Sequence, residues 1–311
     1  MRILLTGVSG FVGSLLAPRL LLDGHEVRAL TRDPARSACP PAIDVVRGDV
    51  LTGEGLARAL ADVEVAYYLI HSMESAPPGA AFEHPFPTRE RLGATNFAHA
   101  ARHAGVRRIV YLGGLVPRDP TTISTHLASR EAVEGILFDQ LPDSVALRSA
   151  IVIGARSRSF RLLVRLIERL PILTLPPWRR FRTQPIDARD TIELLVAAAQ
   201  APAVAGRSLD IGGPEALSYE DLLRRIADSL LLHRPTFALG IGATPLTARL
   251  AAALSHEDPE LILALMPGLE SDLLPAEDHA AELLGVQLHS LDAAIECALR
   301  EWEAVEPLAA R

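Results

Sequence analysis

The stretch LTGVSGFVGS, residues 5–14, constrains this chain more than any other. Gly7, Gly10 and Gly13 recur at every third residue, directly after an apolar run and directly before an amphipathic one. Gly7 permits a tight turn, Gly10 lets the backbone approach a pyrophosphate, and Gly13 lets a helix pack closely on the strand. Phosphates at such a turn face the unpaired N–H groups and the positive dipole end of the helix. Glycines alone mark any turn. Between a first strand and a first helix they mark a dinucleotide site. Ser9, Phe11 and Val12 belong to the same turn and are expected to line the cofactor with the three glycines.

Short β-branched runs alternate with helical patterns through the first half. The expected strands are RILLTG (2–7), EVRALT (26–31), IDVVRG (43–48), EVAYYLI (64–70), RRIVYLG (107–113) and SVALRSA (144–150). Helices are expected near 11–22, 53–60, 88–104 and 124–139, with Pro18 bending the first. Strand and helix taking turns give a doubly wound parallel α/β sheet with helices on both faces. After residue 155 the rhythm changes to a helix (158–170), a proline-rich stretch, a helix (188–200), a strand SLDIGG (208–213) and further helices. The reading is a nucleotide-binding domain over 1–155 and a smaller, mostly helical substrate lobe over 156–311. In it the strand at 208–213 is free to rejoin the main sheet. Ligands of such sheets gather at the C-terminal edge of the strands.

Composition narrows the partners. Of 311 residues 49% are apolar, which suits a packed core, and a net charge of -7 gives no reason to expect nucleic acid. No run of about 18 apolar residues suggests a membrane span. A strand beginning at Arg2 leaves no room for a signal peptide. Cys39 and Cys297 form no metal-type pair, so a reduced, cytoplasmic protein without a metal site is expected. All 31 basic residues are arginine, so no chemistry here uses a lysine.

The second strand should end beside the adenosine ribose, about 20 residues beyond the glycines. There Arg32 suits a 2′-phosphate and favours NADP over NAD, although Asp33 stands next to it. Asp49, in RGDV, is placed either to bond adenine or to cap a helix at 52–60. His71, at the end of the fourth strand, is read either as a cofactor contact or as a histidine satisfied by neighbouring backbone. Val50, Leu69 and Ile151 complete the expected cofactor set. Tyr68 reads as core.

These motifs resemble the short-chain dehydrogenase/reductase superfamily, in its extended and atypical, NmrA-like or epimerase-like NAD(P)-binding members. The matches are TGxxGxxG, GDV after the third strand, YLGG at the fifth, RSAIVIGARS (148–157), TQPIDARD (183–190) and LDIGGPEALSYEDL (209–222). YYLIHSM (67–73) and STHLASRE (124–131) point to the atypical subgroup. The resemblance covers roughly the first 230 residues. It implies a Rossmann fold and a catalytic serine, tyrosine and lysine, and this sequence departs from all three. Gly113 and Gly114 stand in the serine's region, His126 at the tyrosine and Arg130 at the lysine. It also implies that Gly114 and Gln184 face the substrate. Asp190 would brace the cleft or cap the following helix. The segment 93–104 could serve a homodimer.

Two functions stay open. In one, His126 and Arg130, four residues apart on one helix face, form a substitute dyad. The histidine, with an ordinary pKa of about 6.5, would exchange protons near neutrality, while the arginine would anchor ribose and charge, disfavour the imidazolium and lower that pKa. Ser124 or Tyr111 could also polarise a carbonyl. In the other, the protein binds NAD(P) without turnover, as a redox sensor or assembly factor. Arg158, Arg161, Arg165 and Arg169 share one helix face among leucines, with Arg179, Arg180 and Arg182 close behind. They are read either as a site for an anionic, apolar small molecule near a membrane surface or as a solvated face.

Overall fold

The computed structural model describes residues 1–37, 39–71, 84–238, 266–277 and 279–308. Its centre is a parallel sheet of β1 (Arg2–Thr6), β2 (Glu26–Thr31), β3 (Asp44–Arg47), β4 (Val65–Tyr68), β5 (Arg108–Gly114), β6 (Val145–Ser149) and β11 (Arg207–Ile211); the short strands β7 (Val152–Ile153), β8 (Leu173–Leu175), β9 (Arg182–Thr183) and β10 (Ile186–Asp187) pair outside it. The spatial order is β11-β6-β5-β4-β1-β2-β3. Crossovers run through α1 (Phe11–Leu22), α2 (Leu56–Leu60), α3 (Phe86–His103), α4 (Thr125–Gln140) and α6 (Ala188–Gln200). The order reverses where β1 lies between β2 and β4, and this opens a crevice at the strands' C-terminal ends.

Both faces of the sheet are covered, which explains why β4 is apolar throughout rather than alternating. Leu16, Leu20, Leu194 and Leu195 of α1 and α6 cover Ile3, Leu5 and Tyr67. Phe97, Ala98 and Val133 of α3 and α4 cover Leu4, Ala66 and Tyr68 on the other side. Tyr67 and Tyr68 therefore face opposite layers. Tyr67 donates to the Leu195 carbonyl (3.1 Å), and Tyr68 packs 5.0 Å from the Phe97 ring. The expected helix at 53–60 begins only at Leu56, because Gly53 and Gly55 take left-handed backbone (φ 78° and 74°). The strand expected at 208–213 spans Arg207–Ile211 and pairs parallel with β6 along all five residues.

Arginine forks close three helices. Arg108, 2% exposed, donates to the carbonyls of Ala198 and Ala201 at the end of α6 and of Asp143. Arg28 reaches the carbonyls of Arg58, Ala59 and Ala61 at the end of α2. Arg234 reaches Ile167 and Glu168 at the end of α5 (Arg158–Arg169). The last carbonyls of a helix lack intrahelical donors, and a planar guanidinium reaches several at once where an ammonium would not.

A second core joins α5, α7 (Tyr219–Ser229) and α9 (Leu291–Glu303), which follows the short α8 (Ala280–Leu284). Here two members of the arginine stripe are engaged within the protein, neither standing open to an anionic ligand nor lying on a plain solvated face. The guanidinium carbons of Arg161 and Arg165 lie 4.2 and 4.8 Å from the Trp302 ring centroid, and both pair with Glu306. The Trp302 indole also donates to Glu306 (3.1 Å). Nearby, Arg179 pairs with Glu220. Half of the four-arginine stripe thus fastens α9 onto α5.

Trp302→Ala should remove about 3–5 kcal/mol of stability through cavity formation and loss of the stacked cations. Urea unfolding of both proteins checks this. A loss below about 1 kcal/mol would show that α9 is fastened elsewhere.

Candidate functional site

The glycine turn carries steric necessity at two points. Gly7 has φ +66°, and a Cβ there would stand 2.9 Å from the Leu69 carbonyl oxygen. A Cβ on Gly13 would overlap the Gly7 carbonyl. The Gly10 amide donates to that same carbonyl (2.9 Å), and no side chain caps α1 at Gly10. Phe11 lies against the backbone of Gly154, where a Cβ would be 2.5 Å from its ring. Ser9 is exposed and Val12 half-buried. Thr6, which the sequence reading missed, fixes the neighbouring strand. Its hydroxyl donates to the Tyr67 carbonyl and accepts from the Leu69 amide, both at 2.9 Å.

Along the rim, Arg32 is exposed just past β2. The Asp33 carboxylate accepts from the Ala35 amide (3.1 Å) and so belongs to the local Pro34–Arg36 turn. Asp49 does not cap a helix at 52–60. Its carboxylate accepts from the Leu51 amide (2.8 Å), holding a turn instead. Asn96 of α3, also missed, donates to the carbonyls of Val50 and Leu51 and holds that loop from below. Val50 itself is buried.

Next to this lies α4. Ser124 caps it, accepting from the Leu127 amide (3.2 Å). Four residues apart on the helix, His126 turns toward His71, just past β4, and Arg130 toward the end of β5. Arg130 is buried, donates to the Leu112 carbonyl and lies 5.2 Å from the Tyr111 ring. No carboxylate pairs with it among the described residues. The Tyr111 hydroxyl is committed to the Arg130 carbonyl, and burial pushes its pKa up to about 12, so Tyr111 is not an acid here. Gly114 packs under Leu127.

His126 and His71 come together, their rings stacked 5.0 Å apart with Phe86 against both. The Nδ1 atom of His126 is buried without a hydrogen-bond partner among the described residues. Burial and the Arg130 cation push the His126 pKa down to about 3. The shift has the direction expected from Arg130, and at pH 7 the ring is neutral. Burial, with Arg130 behind it, also holds His71 well below the ordinary histidine range.

Two expected site residues are tied into the scaffold. Gln184 is buried and donates to the Gly213 carbonyl (2.7 Å), with a Cβ on Gly212 only 2.8 Å from its own Cγ. It therefore braces the turn after β11. Asp190 does not cap α6. Asp187 does, accepting from the Arg189 amide, while Asp190 is buried against His289 (Oδ1 to Nδ1 2.5 Å). Ile151 is half-buried, and its carbonyl accepts from the Ile186 amide (2.9 Å). The remaining missed residue is Arg156, which reaches the glycine turn from beyond β7 (Val152–Ile153).

Residues 7–147 match a family model described as NAD(P)H-binding. That part of the chain is an NAD(P)-binding domain. A 3-beta-hydroxysteroid dehydrogenase of Mycolicibacterium neoaurum is 36% identical to this chain over 113 residues, 35% of this chain and 31% of the relative. A ceramide reductase of Caulobacter vibrioides is 27% identical over 225 residues, 72% of this chain and 68% of the relative. The chain spans about a third of the length of the first curated relatives it matches. Among solved structures, a nucleoside-diphosphate-sugar epimerase from Staphylococcus aureus matches the fold with a TM-score of 0.76. The identity is 16%, over 95% of this chain and 100% of that one. MoeE5 in complex with UDP-glucose and NAD matches at 0.72 and 20% identity, over 98% and 99%. At such identity these two likenesses show the fold of the NAD(P)-binding protein, a Rossmann sheet. Among the described residues no helix is long and apolar enough to cross a membrane.

Gly13→Ala should lower stability by about 1–3 kcal/mol through overpacking and weaken NADPH binding more than tenfold. Gly135→Ala is the control: on the exposed face of α4 its Cβ meets nothing within 4 Å, so NADPH affinity should hold and stability should rise by about 0.5–1 kcal/mol. Thermal unfolding and calorimetric titration read the two.

The depressed His126 pKa has a definite sign in stability. The unfolded ring takes a proton near pH 6.5 and the folded ring near 3. Its contribution is therefore complete above about pH 6.5 and is lost as pH falls toward 3. Between pH 6.5 and 5 that loss is about 1.5 kcal/mol. His126→Asn should lose about that much less than the wild type over the same interval in urea unfolding. Equal losses in the two proteins would mean that the folded ring is not held neutral.

Proposed function

We propose that this NAD(P)-binding protein is an NADP(H)-dependent oxidoreductase acting on an apolar small molecule able to carry negative charge, in the cytoplasm. The observation that carries the reading is the pairing of an unpartnered, buried His126 Nδ1 with a buried Arg130 that no described carboxylate neutralises. An isolated buried cation is costly, and a site that keeps one favours negative charge developing beside it. The glycine cradle, which side chains would fill, fits a dinucleotide pyrophosphate. Arg32, exposed while Asp33 is held in its own turn, supports NADP over NAD. Bound there, the nicotinamide supplies or accepts hydride.

The protein's own part is orientation and charge. Arg130 supplies a fixed positive charge at the end of β5, toward ribose hydroxyls or a reacting oxygen. The neutral His126 offers one ring nitrogen as hydrogen-bond partner to that oxygen. It acts as an imidazole rather than as an imidazolium acid. His71 and Phe86 hold the ring by stacking. The relatives named for steroid and ceramide chemistry support an apolar substrate with a hydroxyl or carbonyl group. The free thiols of Cys39 and Cys297 suit a reducing compartment.

A non-catalytic, sensing reading draws on one observation: no hydroxyl stands at Gly113 or Gly114, and that of Tyr111 is already bonded. The two readings separate in one experiment. NADPH deuterated at C4, in both stereochemical forms, is incubated with the protein and a metabolite extract, and labelled products are sought by mass spectrometry. We expect a labelled product whose formation falls about 100-fold or more in His126→Ala while the NADPH Kd changes less than threefold. Tight NADPH binding with no label transferred would instead establish the sensor.

A further inference from the structure

Arg156 lies outside the residues 7–147 that match the NAD(P)H-binding model, yet it touches the glycine turn. Its backbone is fixed on both sides. Gly154 packs under Phe11, the Ser157 amide donates to the Gly154 carbonyl (3.0 Å), and the Ser157 hydroxyl caps α5. From there the guanidinium reaches across to α1. One terminal nitrogen donates to the Ser14 hydroxyl (2.9 Å) and the other to the Ser9 carbonyl (3.3 Å).

Both partners are neutral. Arg156 is exposed, and no carboxylate pairs with it among the described residues. On the same helix, Arg19 is held between Asp23 and Glu193. The surroundings make an uncompensated cation at this place unfavourable. The first turn of α1 already carries the positive end of the helix dipole, with no acidic residue in it and no side-chain cap. Positive charge added to positive charge gains nothing in the absence of an anion. With an anion at the turn, both act on it together.

We propose that Arg156 is a phosphate-binding residue of the dinucleotide site, its guanidinium exchanging the Ser9 and Ser14 acceptors for the anionic pyrophosphate when cofactor binds. The proposal rests on the NAD(P) assignment of the glycine turn and is independent of turnover. A guanidinium suits the role because its fork meets two phosphate oxygens at once.

The test uses the full chain and two ligands that differ only in the diphosphate, ADP and adenosine, with NADPH as reference. Affinities are measured by calorimetry and, for adenosine, by ligand-observed NMR. Arg156→Gln should weaken ADP and NADPH about tenfold and leave adenosine within twofold. Raising the salt should weaken ADP binding by the wild type more than by this variant. Arg156→Lys should recover part of the loss. Ser14→Ala, which removes one of the two protein-side acceptors together with the hydroxyl's own bond to the Phe11 carbonyl (2.9 Å), should bind ADP at least as well as the wild type.

Equal weakening of ADP and adenosine by Arg156→Gln would overturn the proposal, as would a Ser14→Ala variant that reproduces the defect. Either result would make Arg156 a brace for the loop. Unchanged ADP affinity in Arg156→Gln would overturn it as well. Failure of the wild type to bind NADPH or ADP would be a different failure, that of the dinucleotide reading itself, and would remove the proposal with it.

Discussion

The contact of Gly13 with the Gly7 carbonyl sets where α1 begins, and the site is assembled from that point. With no Cβ in the way, the first turn of the helix drops onto the end of β1, and the Gly10 amide closes onto the same carbonyl. The other wall of the crevice is set by Thr6, whose single hydroxyl bonds both Tyr67 and Leu69. Leu69 then lies over Gly7, two residues before His71, and His71 stacks on His126. A line of direct contacts runs from the turn to the histidine pair.

Electrostatics in this protein follow from the use of arginine alone. Among the described residues, many arginines pair with carboxylates, as Arg19 and Arg225 do, or reach helix-end carbonyls, as Arg28, Arg108 and Arg234 do. Glu134, one turn beyond Arg130 on α4, accepts from two nitrogens of Arg148 and from the Ser208 hydroxyl and ties the helix to β6 and β11. Arg130 is left with a carbonyl and an aromatic face. Burial, with that charge beside them, keeps His126 and His71 neutral, so a permanent cation stands next to two uncharged imidazoles.

What could be read in advance was local. The glycine turn, the strand–helix alternation and the four-residue spacing of His126 and Arg130 depend on neighbours in sequence, and the structure places them accordingly. What could not be read depends on distant partners. Gln184 faces Gly213, Asp190 faces His289, and Arg161 and Arg165 face Glu306 and Trp302, each across a long stretch of chain. A polar side chain in a family-like motif looks the same in sequence whether it meets a ligand or a backbone carbonyl. Arg156 shows the converse. Nothing in its neighbourhood announces a reach of 142 residues to Ser14.

The seventh strand of the sheet carries a consequence for modularity. β11 arrives after α6, yet it covers the outer edge of β6 over five paired positions, from Arg207 opposite Val145 to Ile211 opposite Ser149. A fragment cut at residue 155 would carry the glycine turn, α4 and six strands, and would expose β6 as a bare edge. An uncovered edge strand is a template for pairing with other chains. The halves of this protein are therefore not interchangeable cassettes. A recombinant that replaces the second half has to bring its own closing strand, in register with β6, or be prone to self-association.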